Sequence, residues 1–314
     1  MRIPSYDPNI LKLIKRDIQS VSPKLIKEFN LISAKSGVYV FKCLFGGAPA
    51  VVKYYEKQDY KREISNYQLL AKYCIPTIKI LAYGASSLVM EDISASEQWR
   101  LGALDDLKDS DIIKSLAQWY FALHENGNDA YELDALFFEY DSVTEENLNA
   151  LVLRLPEAKE LFRFILAHYD KLRVMINKPS FTFTYNDFHW SNFVVRKEKN
   201  AAMMIDYNLL GKGYRFSDFR NVCWDLSDES KKAFVNEYGR LYFEKHGKTR
   251  KEAEEFERRV DDVMGPIYSL IIAFIERESF PEWAERAKKE ALDGTLLSKA
   301  RQLIDKERSA PVLI

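Results

Sequence analysis

The stretch TYNDFHWSN, Thr184–Asn192, sets an Asp, a His and an Asn close together between aromatic side chains. A second acid, Asp206, ends the apolar run AAMMIDY. A strand of that composition is buried, and a carboxylate at its end needs a partner, because burial strips a charge of its hydration. A hairpin between the two segments would bring Asp187, Asn192 and Asp206 to one place. Two carboxylates and an amide oxygen suit a hard cation such as Mg²⁺, which takes oxygen ligands. The alternative is three polar residues in turns, and this segment alone does not choose between the two. His189 has no second His or Cys at ligand spacing, which disfavours zinc.

Two residues far upstream shift the balance. Lys53 lies in AVVKYY, a strand-like run whose apolar neighbours direct its ammonium to a cleft or a carboxylate. Glu63 lies in KREISNY, on the helix expected next. Either residue alone reads as an ordinary surface group. A strand lysine paired with a helix glutamate, however, is the arrangement that holds the α- and β-phosphates of ATP in kinases. SAKSG, between two strands, could fold over phosphates, although its single glycine is a weak signal. In chain order stand a strand Lys, a helix Glu, VMEDI at a change of texture, Asp-x4-Asn and a strand-end Asp. Chance rarely produces that order.

The positioning elements follow from periodicity. DPNILKLIKRDIQ has apolar residues at helical spacing behind an Asp-Pro start. Two β-rich runs, Gly37–Phe45 and Ala50–Tyr55, flank the turn signal GGAP. A helix over about 58–73 follows, then strands in TIKILAYG and SSLVMEDI. The first third is thus a small sheet with one helix inserted after the third strand. Beyond Ile93 helical patterns dominate, as in DIIKSLAQWYFALHENG and in EAKELFRFILAHYDKLRVMINK, the latter read as one helix ended by Pro179. One β island, FTFTYNDFH with NFVVRKEKNAAMMIDY, forms a second hairpin turning near Lys199-Asn200. The charge run KTRKEAEEFERRVDD reads as a solvated helix face.

Composition bounds the rest. At 314 residues and 47% hydrophobic, the chain can bury a full core and hold two lobes. A net charge of −1 gives no support to bulk nucleic-acid binding. Cys43, Cys74 and Cys223 are odd in number and form no CxxC pair, which reads as reduced thiols in a cytoplasmic protein. MRIPSYDPNI has no apolar leader run, and the longest apolar stretch, VMGPIYSLIIAFIER, is too short to span a bilayer. No membrane or nucleic-acid partner is expected.

The ordered set resembles the aminoglycoside phosphotransferase and choline kinase superfamily, the protein-kinase-like kinases of small molecules, from about Ser33 to Leu226. That family's loop reads His-Gly-Asp-Leu-His-x-x-Asn, or His-Asn-Asp-Leu in choline kinases, against YNDFHWSN here. Its Ile-Asp-aromatic motif matches MIDY, its segment with Gly and Asp seven residues apart matches GKGYRFSDFRN, and its Leu-His matches ALHENG, where His124 is expected to be structural. The resemblance implies an α+β, bilobal protein-kinase-like fold. Residues 1–93 would form a small antiparallel-sheet lobe that binds nucleotide, and residues 94–314 a larger, mainly helical lobe for catalysis and acceptor binding. It implies ATP and Mg²⁺ as cofactors, with Asp187 as catalytic base and Asn192 and Asp206 as metal ligands. Lys53 and Glu63 would hold the phosphates, and the backbone of Met90, Glu91 and Ile93 would meet the adenine edge. Tyr185 (in place of the family's first loop histidine), His189 and Asp218 would support the loop.

The acceptor is expected to be a small-molecule alcohol: an amino alcohol, a choline-like compound or an aminoglycoside. Trp190, Tyr207 and Tyr214, with Phe216 and Trp224, cluster in sequence near the motifs. Aromatic faces attract cations such as quaternary amines, but core packing explains the same residues. ATP or GTP, and monomer or homodimer, stay open. The competing reading is a pseudokinase that binds nucleotide without turnover, against which the complete five-residue set argues. A protein kinase is disfavoured because no activation-loop motif follows Asp206.

Overall fold

Behind its Asp-Pro start, helix α1 (Asn9–Gln19) buries Ile10, Ile14 and Ile18, one residue per turn on a single face. The computed structural model describes residues 6–308, so part of the stretch inspected for a leader lies outside the described residues. Five strands follow: β1 (Ile26–Lys35), β2 (Val38–Phe45), β3 (Ala48–Tyr55), β4 (Ile80–Tyr83) and β5 (Ser87–Glu91). They form one antiparallel sheet in the order β1-β2-β3-β5-β4. Gly46 and Gly47 make the β2–β3 turn with φ of 60° and 87°, values that glycine adopts without steric cost. Helix α2 (Gln58–Lys72) is inserted after β3, as expected.

Strand β1 starts well before the β-rich runs read from the sequence. Its pairing with β2 shifts register between Lys27 and Asn30 and again between Leu31 and Ser33, and Glu28 has φ of 58°. Those irregularities break the period-two pattern by which a strand is recognised.

Contacts divide the chain into two compact units. One holds the residues up to Gly127, Tyr185–Leu210 and Asn221–Gly247. Besides the large sheet it contains β6 (Trp99–Leu101), which pairs with the hairpin Phe193–Arg196 and Ala202–Met204. Its α3 (Ser110–Gly127) packs on the helix Asp228–His246. There His124 Nδ1 meets the Tyr238 hydroxyl at 2.9 Å, buried. Ile14, Phe41, Val52 and Val89 lie in the core between α1 and the sheet.

The second unit holds Asn128–Thr184, Gly211–Arg220 and the residues from Lys248 on. It is helical apart from the strand pair Thr182–Thr184 and Gly211–Gly213. Phe162, Ile165, Val260, Met264, Ile267 and Leu296 lie in its core. Two expectations are corrected here. The single helix of EAKELFRFILAHYDKLRVMINK is two, Lys159–Ala167 and Tyr169–Ile176, broken at His168, which leaves helical geometry (φ −121°, ψ 19°). The charge run is not a wholly solvated face, because Glu257 and Asp261 are each 1% exposed. Glu257 takes an ion pair from Arg250 at 2.5 Å. Asp261 accepts from the Tyr140 hydroxyl at 2.5 Å and lies 3.3 Å from Arg220, whose other nitrogen meets Glu139 at 2.9 Å. Among the described residues no helix is long and apolar enough to cross a membrane.

Candidate active site

Lys53 sits mid-strand in β3, opposite Val40 of β2 and Leu88 of β5. The pleat turns it out of the sheet toward α2, where Glu63 occupies the second turn. Its ammonium is 2.7 and 2.9 Å from the two Glu63 oxygens and 3.0 Å from Asp206 Oδ1. The side chain of Lys53 is 13% exposed and that of Glu63 2%, whereas Asp206 is 43% exposed. Burial alone would lower the Lys53 ammonium, but Glu63 and Asp206 outweigh it and raise it. Burial raises the Glu63 carboxyl, and Lys53 offsets this only in part.

Asp206 follows the strand Ala202–Met204 in the left-handed region, with φ of 63°. A non-glycine residue there stores roughly 1–3 kcal/mol and is kept only where its neighbours fix it. Ile205 N–H donates to Asn192 O at 2.8 Å, and the Tyr185 hydroxyl donates to Ile205 O at 2.5 Å. Tyr185 is wholly buried, its ring edge-on to Tyr207 at 5.7 Å. Thus the tyrosine in the family's histidine position tethers the strand end that presents Asp206.

The loop before the hairpin is held locally. Asn186, with φ of 64°, donates from Nδ2 to Leu209 O at 3.1 Å. Asn192 N–H donates to His189 O at 2.8 Å, and Asn192 Nδ2 donates to Asp187 O at 3.3 Å. His189 is exposed and shares a 2.7 Å hydrogen bond with the Ser191 hydroxyl. The Asp187 carboxyl is pushed up to about 6 by burial and then by Asp206, against the opposing pull of His189 and Lys53. A carboxyl poised there loses its proton near neutrality and can take another from a hydroxyl.

Three carboxylates (Glu63, Asp187 and Asp206) thus interact around one ammonium, an excess of negative charge that favours a cation. Among the described residues no three of His, Cys, Asp and Glu converge as a metal cage. Mg²⁺ does not need one, since it is commonly held by one or two carboxylates together with substrate phosphates and water. The half-exposed Asp206 carboxylate fits that role. Asn192 fits it too, because its nitrogen is turned to Asp187 O and its amide oxygen, a hard donor, accepts only a long 3.5 Å contact from the Ser191 hydroxyl.

The nucleotide stretch is more constrained than its sequence suggests. Glu91 N–H donates to Lys79 O at 3.0 Å, and the Glu91 carboxylate accepts from Lys79 N–H at 2.8 Å. The Glu91 N–H is therefore engaged within the sheet. Met90 and Ile93 are 9% and 6% exposed. A cavity of about 350 Å³ near Pro76, Glu91, Trp99, Trp119 and Met203 is lined by none of the five motif residues.

The aromatic acceptor surface is also corrected. Tyr207 and Tyr214 are wholly buried, and their hydroxyls donate to Met204 O and Ile176 O. They are packing residues with no face open to a ligand. Trp190 is half-buried, its ring 5.3 Å from that of His189. Asp218, in the second unit, is 1% exposed. Sequence reasoning missed Asn66, which donates from α2 to Tyr207 O at 2.7 Å and is 5% exposed. An amide on the same helical face as Glu63 was the available signal.

The sequence pattern of the phosphotransferase enzyme family (APH) matches residues 30–256, which contain all five motif residues. The chain belongs to the phosphotransferase enzyme family. It is therefore a small-molecule kinase by family, and solved structures of low identity share its α+β, protein-kinase-like fold. Choline kinase LicA from Streptococcus pneumoniae aligns with TM-score 0.58 at 14% identity over 92% of this phosphotransferase and 99% of that chain; LicA has also been solved with AMP. A choline kinase from Cryptosporidium parvum gives 0.59 at 17% identity, over 96% and 97%. The macrolide 2'-phosphotransferase MphH from Brachybacterium faecium gives 0.59 at 10% identity, over 91% and 98%. No curated protein matches this phosphotransferase significantly.

Proposed function

We propose that this cytoplasmic phosphotransferase moves the γ-phosphate of ATP, with Mg²⁺, to a hydroxyl of a small molecule. The observation that carries the reading is Lys53 held between Glu63 and Asp206 at 2.7–3.0 Å. Residues 1–93 serve the nucleotide and residues 94–314 the chemistry and the acceptor. Lys53, fixed by Glu63, meets the α- and β-phosphate oxygens. Asp206 and the Asn192 amide oxygen hold Mg²⁺, which neutralises phosphate charge when bound. Asp187 orients the acceptor hydroxyl and takes its proton at a carboxylate oxygen. His189, Ser191 and Tyr185 keep the loop in shape. The chain's contribution is positioning and charge rather than a covalent intermediate.

The acceptor in this reading is an amino alcohol, a choline-like compound or an aminoglycoside. A cation favours the neighbourhood of Asp187, where carboxylates outnumber ammonium groups. The test is a screen of amino alcohols, aminoglycosides, macrolides and sugars, read by ADP release with Mg²⁺. Asp187→Asn serves as the control, with transfer expected to fall about a thousandfold while ATP affinity stays within roughly twofold, because the base acts only on the reacting hydroxyl. No transfer to any acceptor, or an Asp187→Asn enzyme as fast as the parent, refutes the proposal.

A further inference from the structure

Helix α2 carries Glu63, Asn66 and Tyr67 at positions i, i+3 and i+4, hence on one face. Each is buried, at 1%, 5% and 1% exposure. Glu63 holds Lys53. Asn66 Nδ2 donates to the Tyr207 carbonyl at 2.7 Å, and the Tyr67 ring meets the Tyr207 ring edge-on at 4.8 Å. The Tyr67 hydroxyl lies at the Asp206 amide.

Asp206 itself holds a left-handed φ of 63°. Its preceding residue is tied within the hairpin, by Ile205 N–H to Asn192 O and by the Tyr185 hydroxyl to Ile205 O. Its following residue is tied from outside the hairpin, by Asn66. A left-handed φ at a non-glycine residue relaxes unless both flanks are fixed. The amide of a buried asparagine could have satisfied itself on its own helix; here it reaches across 141 residues of sequence to the carbonyl of Tyr207, the residue that follows Asp206.

We propose that Asn66 is a positioning residue for Asp206, so that one helix sets the phosphate lysine through Glu63 and the metal carboxylate through the Tyr207 carbonyl. The inference rests on the proposed role of Asp206 as a Mg²⁺ ligand. It makes the two halves of the nucleotide site interdependent: a displacement of α2 releases both together.

The test uses the full chain with Asn66→Leu, which keeps the branching at Cγ and removes the donor, and Asn66→Ser, whose short hydroxyl does not span the gap. Binding of a non-hydrolysable ATP analogue is titrated with Mg²⁺ by calorimetry, alongside the Mg²⁺ dependence of transfer. Both variants are expected to need about tenfold more Mg²⁺ for half-saturation, with metal-free nucleotide affinity and acceptor KM little changed. A purely structural asparagine would lower the melting temperature and leave the Mg²⁺ requirement where it was; that result in either folded variant overturns the proposal. If the parent enzyme itself binds nucleotide equally with and without Mg²⁺, the proposed function falls first and takes this inference with it.

Discussion

Replacing Lys53 by Met tests the centre of the site through stability as well as rate. The substitution removes the ammonium and leaves Glu63, 2% exposed, with no cation at 2.7 Å. Breaking a buried pair by deleting one partner typically costs about 3–5 kcal/mol, because the remaining charge is uncompensated. Asp206 adds little, since it is 43% exposed and water can replace the lost contact. At a few °C per kcal/mol for a chain of this size, the melting temperature should fall by roughly 6–10 °C at pH 7. Lys53→Met with Glu63→Gln should recover most of that loss, because the buried group is now neutral. Both variants should remain about a hundredfold or more below the parent in transfer, since removing a preorganised contact to developing charge costs on that scale.

The sign of the pH dependence gives a second check. In Lys53→Met the folded-state pKa of Glu63 lies above its unfolded value, because burial raises it and no cation lowers it. The deficit is then absent below the unfolded value and grows as pH rises through the folded one. Circular-dichroism melts from pH 5 to 8 should show Lys53→Met approaching the parent at the acid end, while the double variant shows no such trend. A single variant as stable as the parent at pH 7, or a double variant no better than the single, would refute the account of Lys53 and Glu63 as a buried pair.

Two further outcomes are expected. Transfer measured as kcat/KM for the nucleotide should rise with pH through about 6, the value to which burial and Asp206 push Asp187, because only the ionised carboxylate accepts a proton; a flat profile between pH 5 and 7 excludes Asp187 as the base. In the second unit, Gly265→Ala should lower stability by about 3 kcal/mol or more, read in a chemical denaturation curve. A Cβ at Gly265 would overlap the Arg220 guanidinium, and displacing it would strand Glu139 and Asp261 in the core.

The polar motifs were more legible than the elements that fix them. Lys53, Glu63, Asp187, Asn192 and Asp206 stand out because buried-strand neighbours make a charged residue conspicuous and because their order is restrictive. The five-stranded sheet was visible where the period of two was intact, but the extent of β1 was not, because bulges interrupt it. Burial of the aromatics was not legible: Tyr207 and Tyr214 look like Trp190 in sequence, and only tertiary packing shows that their hydroxyls end on backbone carbonyls. The same blindness affected KTRKEAEEFERRVDD, because the cations that bury its acids differ in their distance along the chain. Arg250 lies seven residues from Glu257, whereas Arg220 reaches Asp261 from another helix.

The arrangement of charge around Lys53 accounts for the site's receptiveness to a cation. A lone lysine between two carboxylates is stable, because the ammonium compensates the more deeply buried acid. It is also incomplete, because the second acid is left partly in water with a third carboxyl nearby whose proton affinity it raises. Protonation of that third group would disable the proposed base, whereas a divalent cation at Asp206 would lower its pKa and keep it ionised. On this argument cation binding and base activation are one event. In the proposed function Asp206 would have to be held in its left-handed conformation before the nucleotide arrives, a task the hydrogen bonds on either side of it could perform.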